Sequence, residues 1–433
     1  MTLQKVCVAD GINLSCITTD KFKTGVLTLS LTIPLTRQNS AFNIVLPGVL
    51  RRGTQKYPSM ASLNMRLDEL YAACVEIRSS RTGKNISLVF TAEMLDESYS
   101  TDGTAITDGV IDVIAQMLLH PSLGEGGFES AKVEQEIRFC TDAIRAEINN
   151  TRAYAAVRCA ELMHRDDPNY PTLKNLENDI SLINGASLAD YYRRLLSEAS
   201  IEAFYVGSLS VDSIAEKLRC ALISWQAKDH SHITLPSAES ATPYISVTEE
   251  MPVSQGKLSM GFRTGVCNDG CGDGFYAAIL LNEIFGGSPA SKLFMNVREK
   301  MSLCYYCSSA YSQYTGNITV SAGVNTANRD IARGAILSQL DDIRAGKISD
   351  AELHAAKTSL ENAYRQIYDN PFELQAFLGA RAMFGIEDGI EESREKLSRV
   401  TLGQVIDIAK QTVLDTEFFI EGTLSDGDEE DEE

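Results

Sequence analysis

Two segments about 230 positions apart share one pattern, and this repetition constrains the fold more than any other feature of the chain. The segment 27–33 alternates Leu or Ile with Thr or Ser, which is typical of a strand with one buried face. The segment 258–262 alternates Leu, Met and Phe with Ser and Gly in the same way. Each is followed by two strand-like runs joined at a Thr-Gly turn, at 82–83 in the first half and at 315–316 in the second. The shared order predicts that one α+β unit occurs twice in the chain.

Helical stretches lie between and after these strands in both halves. Ser59 can cap a helix, and the run FYAAILLNEIF has helix-forming composition and ends at the glycine pair 286–287. Longer helical regions follow the hairpins at 127–165 and at about 350–385. We therefore predict an α+β fold of two homologous αβ domains, each with helices packed on a mostly antiparallel sheet. The predicted domains are 1–225 and 245–424, joined by a polar linker at 226–244 and followed by an acidic disordered tail at 425–433.

Charge and apolar content argue against several classes of function. The 433 residues carry 59 acidic and 39 basic side chains, so nucleic-acid binding is not expected, because little is available to neutralise phosphates. We interpret the acidic tail as a solubilising end, with docking to a basic partner as the alternative. No apolar run approaches the ~20 residues that cross a bilayer, and the chain does not start with a basic segment followed by an apolar one. These features predict a cytoplasmic protein without membrane contact, whose ten cysteines are reduced thiols.

The segment 286–320, GGSPASKLFMNVREKMSLCYYCSSAYSQYTGNITV, resembles the C-terminal half of the pitrilysin, insulinase and mitochondrial processing peptidase family. The resemblance extends from about residue 20 to residue 422 and implies a fold like that of the mitochondrial processing peptidase. Family members that are zinc peptidases carry an inverted motif, His-x-x-Glu-His, in their N-terminal half. In this chain the matching stretch places Ile44, Pro47 and Gly48 at the positions of the two histidines and the glutamate. The resemblance therefore implies a non-catalytic member, similar to bacterial members that lack the motif and are associated with elongation factor P modification.

The first histidine of the chain, His120, supports this interpretation, because no shift of the alignment can supply a two-histidine site before it. In the family, the two histidines share one helix face and bind zinc, while the glutamate activates the metal-bound water. Pro47 and Gly48 are expected to disturb that helix turn. Glu147 lies near the place where the family positions a third ligand, but we interpret it as a solvated helix residue. No cofactor is therefore expected in this chain.

Two further patterns could bind a metal and are interpreted otherwise. His230 and His232 could chelate weakly, but they lie in the polar linker. Cys304 and Cys307, together with a second pair at 267 and 271, could form a zinc site. Because an offset of three in a strand points side chains to opposite faces, we predict that Cys304 and Cys307 are separate buried thiols.

Arg298 and Tyr305 are the candidate substrate-binding residues. In the family, an arginine and a tyrosine seven residues later grip the substrate backbone and stabilise the tetrahedral intermediate, and the run VREKMSLCYY keeps this spacing. A guanidinium and a phenol can both donate to a carbonyl oxygen that gains negative charge. The alternative is that Arg298 pairs with a neighbouring acid and Tyr305 is simply a strand aromatic. A slip of one residue in the strand would exchange Tyr305 with Tyr306.

The leading hypothesis is a non-catalytic subunit of a zinc metallopeptidase. A sibling subunit that bears the zinc motif would supply the metal and the activated water, and this chain would close the peptide-binding chamber and offer Arg298 and Tyr305. Substrates would be peptides small or unfolded enough to enter. The alternative is a peptide-binding or scaffold protein with no role in cleavage, acting as a homodimer or within a modification complex. An independent enzyme that uses cysteine or unusual metal chemistry is disfavoured by the interpretations above.

Overall fold

The computed structural model describes residues 2–225 and 233–424. Its strands, numbered in chain order, are β1 Leu3–Ala9, β2 Ile12–Thr18, β3 Thr24–Pro34, β4 Cys74–Thr82, β5 Asn85–Leu95, β6 Leu123–Gly124, β7 Gly127–Phe128, β8 Ser200–Gly207, β9 Ile245–Met251, β10 Gly256–Arg263, β11 Cys304–Ser312, β12 Asn317–Val324 and β13 Val413–Gly422.

The α-helices are α1 Arg37–Arg51, α2 Met60–Glu69, α3 Ile106–Leu119, α4 Ser130–Ala146, α5 Thr151–Met163, α6 Leu173–Ser181, α7 Gly185–Glu198, α8 Val211–Ala221, α9 Gly274–Asn282, α10 Arg329–Arg344, α11 Asp350–Ile367, α12 Pro371–Met383, α13 Ile390–Arg399 and α14 Leu402–Gln411. Two π-helices, Glu283–Gly287 and Leu293–Lys300, lie between α9 and β11. Short 3₁₀ turns lie at Glu97–Tyr99, Glu147–Asn149 and Thr326–Asn328.

The described residues form two compact units. One contains the described residues of Met1–Arg145, Pro168–Leu235 and Ile367–Glu387, and the other those of Ala146–Asp167, Pro236–Gln366 and Asp388–Glu433. The first unit therefore includes α12 from the C-terminal half of the chain, and the second unit includes α5 from the N-terminal half. The predicted domains describe duplicated halves of the chain, and their boundaries stay a prediction.

The first unit is built on a six-stranded sheet of order β1-β2-β8-β3-β5-β4. Its centre is β3, where the predicted alternation places the Leu and Ile side chains of 27–33 in the core. Helices α1, α3 and α7 cover this apolar face. The opposite face carries the hydroxyl side chains of β3 and receives α12, where Thr32 lies 3.7 Å from the sulfur of Met383.

The second unit repeats this arrangement with a five-stranded sheet of order β11-β12-β10-β13-β9. Read from the hairpin edge, the first sheet has the order β4-β5-β3-β8-β2, followed by β1. Each strand of the second sheet therefore has a counterpart in the first, and β1 is the additional strand. Both sheets contain one parallel pair at the same place, β2 with β8 and β9 with β13. Helix α5 packs on β10 much as α12 packs on β3, and Gly261 leaves room there for Met163. The duplicated, mostly antiparallel fold predicted from the sequence is confirmed.

The helix cap and the two hairpin turns occur where the sequence predicts them. Ser59 caps α2 and forms a capping box with Ser62. Gly83 and Gly316 take positive φ values of 58° and 73° at the two hairpin turns, a conformation that favours glycine. The linker residues that are described, 233–244, form no regular element before β9, whereas His230, His232 and the acidic tail lie outside the described residues. In the described part of the chain, no helix combines the length and apolar character needed to cross a membrane.

Candidate functional site

The positions that match the zinc motif lie in the middle of α1. Thr36 caps this helix, because its side-chain oxygen accepts a hydrogen bond from the amide of Asn39 at 3.1 Å. Contrary to expectation, Pro47 and Gly48 do not interrupt the helix, which continues to Arg51. Pro47 is buried with its apolar neighbours, and this packing holds the turn although proline lacks the amide hydrogen.

Helix α4 faces these positions with an acid that the sequence interpretation missed. Glu136 lies so close to Gly48 that a Cβ atom at Gly48 would overlap its carboxylate. One turn further along α4, the thiol of Cys140 lies 3.7 Å from the carbonyl oxygen of Ile44. Positions 44 and 48 therefore share one face of α1, opposite 140 and 136 of α4. The signal for Glu136 was available, because it shares the apolar face of α4 with Val133 and Cys140 at helical spacing.

An ion pair with Arg52 satisfies the carboxylate of Glu136. Nε of Arg52 donates to Oε1 of Glu136 at 2.5 Å, and a second guanidinium nitrogen donates to Gln135 at 2.8 Å. The side chains of Arg52 and Glu136 are only 20% and 11% exposed. A guanidinium thus supplies, from the end of α1 itself, the positive charge that this acid requires.

The residues at this face do not fit a catalytic zinc ion. Ile44, Pro47 and Gly48 have no ligand atoms in their side chains, and the nearby carboxylate is neutralised by Arg52. Glu147, which we interpreted as solvated, is indeed exposed, in the 3₁₀ turn after α4. Across residues 2–225 and 233–424, no group of three or more His, Cys, Asp or Glu side chains is placed to hold a metal.

The segment between α9 and β11 has an irregular backbone. It contains both π-helices, and Ser302 has a φ of +51°, which is unfavourable for a residue with a side chain. Helix α9 continues through the first π-helix to the glycine pair, as predicted. Gly286 is required there, because a Cβ atom would lie 2.7 Å from the amide nitrogen of Ser309 on β11. π-Helices and strained residues often occur at functional sites.

Arg298 lies in the second π-helix, which packs against β11. Its guanidinium carbon lies 4.6 Å from the centre of the Phe294 ring, and one of its nitrogens lies 3.7 Å from the carboxylate of Glu299. The contact with Glu299 is exposed and long, so it contributes little stability and leaves the hydrogen-bond donors available. The alternative pairing of Arg298 with a neighbouring acid is therefore present only in a weak form.

Tyr305 forms a β-bulge at the start of β11, an edge strand of its sheet. Cys304 pairs with Val324 and Tyr306 pairs with Gly323, which leaves Tyr305 without a partner on β12. Tyr305 is 55% exposed. Tyr306 instead packs over Gly323 and under the guanidinium of Arg152, which lies 4.2 Å from the ring centre. Of the two tyrosines, Tyr305 is the one whose phenol is open to a ligand.

The same bulge overturns the prediction for Cys304 and Cys307. We expected an offset of three to separate these side chains, but the extra residue brings both to one face, where their thiols hydrogen-bond each other. Both are buried, as predicted. Of the second pair, Cys267 is buried and Cys271 is exposed, so the four cysteines do not form one site.

The fold of two repeated αβ units, and the ion pair that faces the zinc-motif positions of the first, can be compared with known proteins. Residues 183–360 match the family model described as the peptidase M16 inactive domain. The Bacillus subtilis (strain 168) protein named probable inactive metalloprotease YmfF is 28% identical over 414 residues, which cover 95% of this chain and 96% of that protein.

Solved structures have a similar fold. A conserved protein from Enterococcus faecalis V583 is 25% identical, with a TM-score of 0.88 over 97% of this chain and 98% of that chain. A peptidase M16 inactive domain from Pseudomonas fluorescens is 15% identical and shows the same fold, with a TM-score of 0.80 over 98% and 99% of the two chains. The chain is therefore similar to inactive-type proteins of the M16 peptidase family, which confirms the resemblance seen in the sequence. The association with elongation factor P modification stays a prediction.

Proposed function

We propose that the chain is the non-catalytic subunit of a zinc metallopeptidase, pairing with an active sibling to close a peptide-binding chamber. The sibling would hold the zinc ion and the glutamate that activates water. This chain would contribute Arg298 and Tyr305 to the binding of the peptide. The division is physically reasonable, because an activated water and the donors that stabilise the oxyanion can come from different chains.

The observation that carries the proposal is the exposed bulge at Tyr305 beside the helix of Arg298. Strain at Ser302 and the π-helix of Arg298 would be unfavourable in a region that served packing alone. The phenol of Tyr305 and the guanidinium of Arg298 are exposed, and within residues 2–225 and 233–424 neither makes a strong bond that would compete with a ligand. The outer edge of β11 also offers backbone groups to which an extended peptide can add as a strand.

The test is cleavage of a quenched fluorescent peptide by this chain mixed with a zinc-motif-bearing sibling from the same organism. Arg298→Ala should lower the rate about 100-fold, the effect typical of losing one donor to the oxyanion. Arg399→Ala is the matched control, because Arg399 is an exposed arginine of the same unit that pairs with Glu395 on its own helix. This control should cleave at the unmodified rate.

Unchanged cleavage by the Arg298→Ala pair, with both chains folded, would contradict the proposed role. It would favour instead a peptide-binding or scaffold protein without a part in proteolysis. Peptide affinity measured with the zinc removed would then show whether the chain binds peptides at all.

A further inference from the structure

The β-bulge at Tyr305 brings two cysteines unusually close along one strand. Cys304 lies opposite Val324 and Cys307 lies opposite Ala322, so three steps along β11 correspond to only two steps along β12. At the strand rise of about 3.3 Å per residue, the two Cα atoms are about 6.7 Å apart, compared with about 10 Å in a regular strand. The Cα atoms of disulfide-bonded cysteines lie up to about 6.8 Å apart. The register of the bulge therefore brings the two Cα atoms to the upper end of the range seen in disulfides.

The surroundings of the two thiols favour a reaction between them. Cys304 and Cys307 are 7% and 3% exposed and hydrogen-bond each other. The hydrogen bond from Cys307 lowers the pKa of Cys304 below the usual value for cysteine, and the same bond, with burial, raises the pKa of Cys307. Cys304 is thus the better nucleophile and Cys307 the thiol that resolves the product. By comparison, burial raises the pKa of Cys140 to about 11.

We propose that Cys304 and Cys307 are a redox-active dithiol, which hydrogen peroxide oxidises to an intramolecular disulfide across the bulge at Tyr305. The sulfur of Cys304 attacks one oxygen of the peroxide, so that an S–O bond forms, the O–O bond breaks and hydroxide leaves. The sulfur of Cys307 then displaces the oxygen from Cys304, forming the S–S bond. The two thiol protons convert both departing oxygens to water, and the dithiol loses two electrons to the peroxide.

The disulfide would fix the backbone around Tyr305, which lies between the two cysteines. Oxidation is then expected to change the affinity of the edge strand for peptides. This consequence rests on the proposed function, whereas formation of the disulfide does not.

The test uses the full chain, treated with increasing hydrogen peroxide, alkylated with N-ethylmaleimide and mapped by mass spectrometry. The expected result is a peptide that contains a Cys304–Cys307 disulfide at peroxide concentrations that leave the buried Cys16 and Cys159 reduced. In the Cys307→Ser variant, the sulfenic acid of Cys304 should persist and react with dimedone. In the Cys304→Ser variant, Cys307 should remain a thiol.

The pair at 267 and 271 provides the internal comparison and should stay unbonded throughout. The proposal is overturned if the exposed Cys7 and Cys74 are oxidised while Cys304 and Cys307 are recovered in the alkylated form, which marks them as still reduced. Peptide affinity before and after oxidation is measured separately. An oxidised chain that binds peptide unchanged would contradict only the regulatory consequence, and a reduced chain that binds no peptide would contradict only the proposed function.

Discussion

The two candidate sites of this chain differ in how their polar groups are satisfied. On α1 and α4, where the family would bind zinc, the helices are regular and the one buried acid is neutralised by Arg52. Around β11, the backbone contains π-helices, a residue with positive φ and a bulge, while Arg298 and Tyr305 remain exposed. The first region has the features of a structural core. The second retains local strain, which native proteins usually tolerate only where it serves a function.

Under the proposed function, the first region would serve stability and the second would bind peptide. The buried carboxylate of Glu136 needs a cation, and Arg52 supplies it. Around Tyr305, by contrast, the backbone contains a positive φ and a bulge. Changes on α1 and α4 are therefore expected to act mainly on stability, and changes around β11 mainly on peptide cleavage.

Removing Arg52 should destabilise the chain most. Arg52→Ala leaves the carboxylate of Glu136 without its cation in a site that excludes most water, so the free energy of unfolding should fall by about 3–4 kcal/mol. Urea denaturation measures the change. The double variant Arg52→Met with Glu136→Leu should recover most of the loss, and the folded double variant should support peptide cleavage in the pair. A double variant as unstable as the single one would mean that the loss does not come from an unpaired charge on Glu136.

Acid should destabilise the second unit through Glu239. Burial alone would raise the pKa of this carboxyl, but the hydrogen bond and charge of His164, at 3.0 Å, and the charge of Arg263 lower it to about 2. In the unfolded chain the pKa is about 4.3, so the contribution of Glu239, about 3 kcal/mol, is fully present above pH 4.3 and is lost as the pH falls toward 2. As the pH falls from 4.3 toward 2, the free energy of unfolding should fall less in the Glu239→Gln variant than in the unmodified protein. An identical slope in both proteins would show that Glu239 does not have the lowered pKa.

Gly48→Ala should destabilise the chain by about 1–2 kcal/mol, because the new methyl group would displace the carboxylate that Arg52 holds. An exposed helical glycine normally gives the opposite result. A methyl group added at Gly334 in α10 would point into open space, so Gly334→Ala should stabilise by about 0.5–1 kcal/mol. Thermal unfolding of both variants measures the difference, and equal shifts would contradict the close contact between α1 and α4.

Ser302→Gly should stabilise the chain by less than about 1 kcal/mol, since glycine relieves a positive φ. Ala72 also has a positive φ, of 56°, so Ala72→Gly is the matched control for relief of strain alone. Both variants should unfold at slightly higher temperature, but only Ser302→Gly should reduce peptide cleavage by the reconstituted pair. Equal cleavage by the two variants would show that strain next to Tyr305 has no functional role.

The sequence predicted the features that depend on local patterns. Alternation identified β3 and β10, Thr-Gly pairs marked the two hairpin turns, and Ser59 marked the start of α2. Periodicity could not show that α5 and α12 each belong to the unit built mainly from the other half of the chain, because this depends on contacts between residues far apart in the sequence.

The candidate sites were harder to predict for the same reason. Pro47 is compatible with α1 because of the packing around it. Helical spacing could place Glu136 on the buried face of α4, but its contact with Gly48 depends on how α4 packs against α1. We expected an offset of three to point the side chains of Cys304 and Cys307 to opposite faces of the strand. This expectation failed because the bulge arises from the pairing of β11 with β12. The zinc motif was easier to judge, because its residue types alone exclude zinc ligation.

Peptide cleavage in the presence of zinc decides whether this chain is a partner subunit, when it is measured for the chain alone, for a zinc-motif-bearing sibling from the same organism and for their mixture. We expect the chain alone to be inactive and the mixture to cleave faster than the sibling alone. Cleavage by the chain alone that a chelator abolishes would contradict the absence of a catalytic site. A mixture no faster than the sibling alone would contradict the role of a partner subunit.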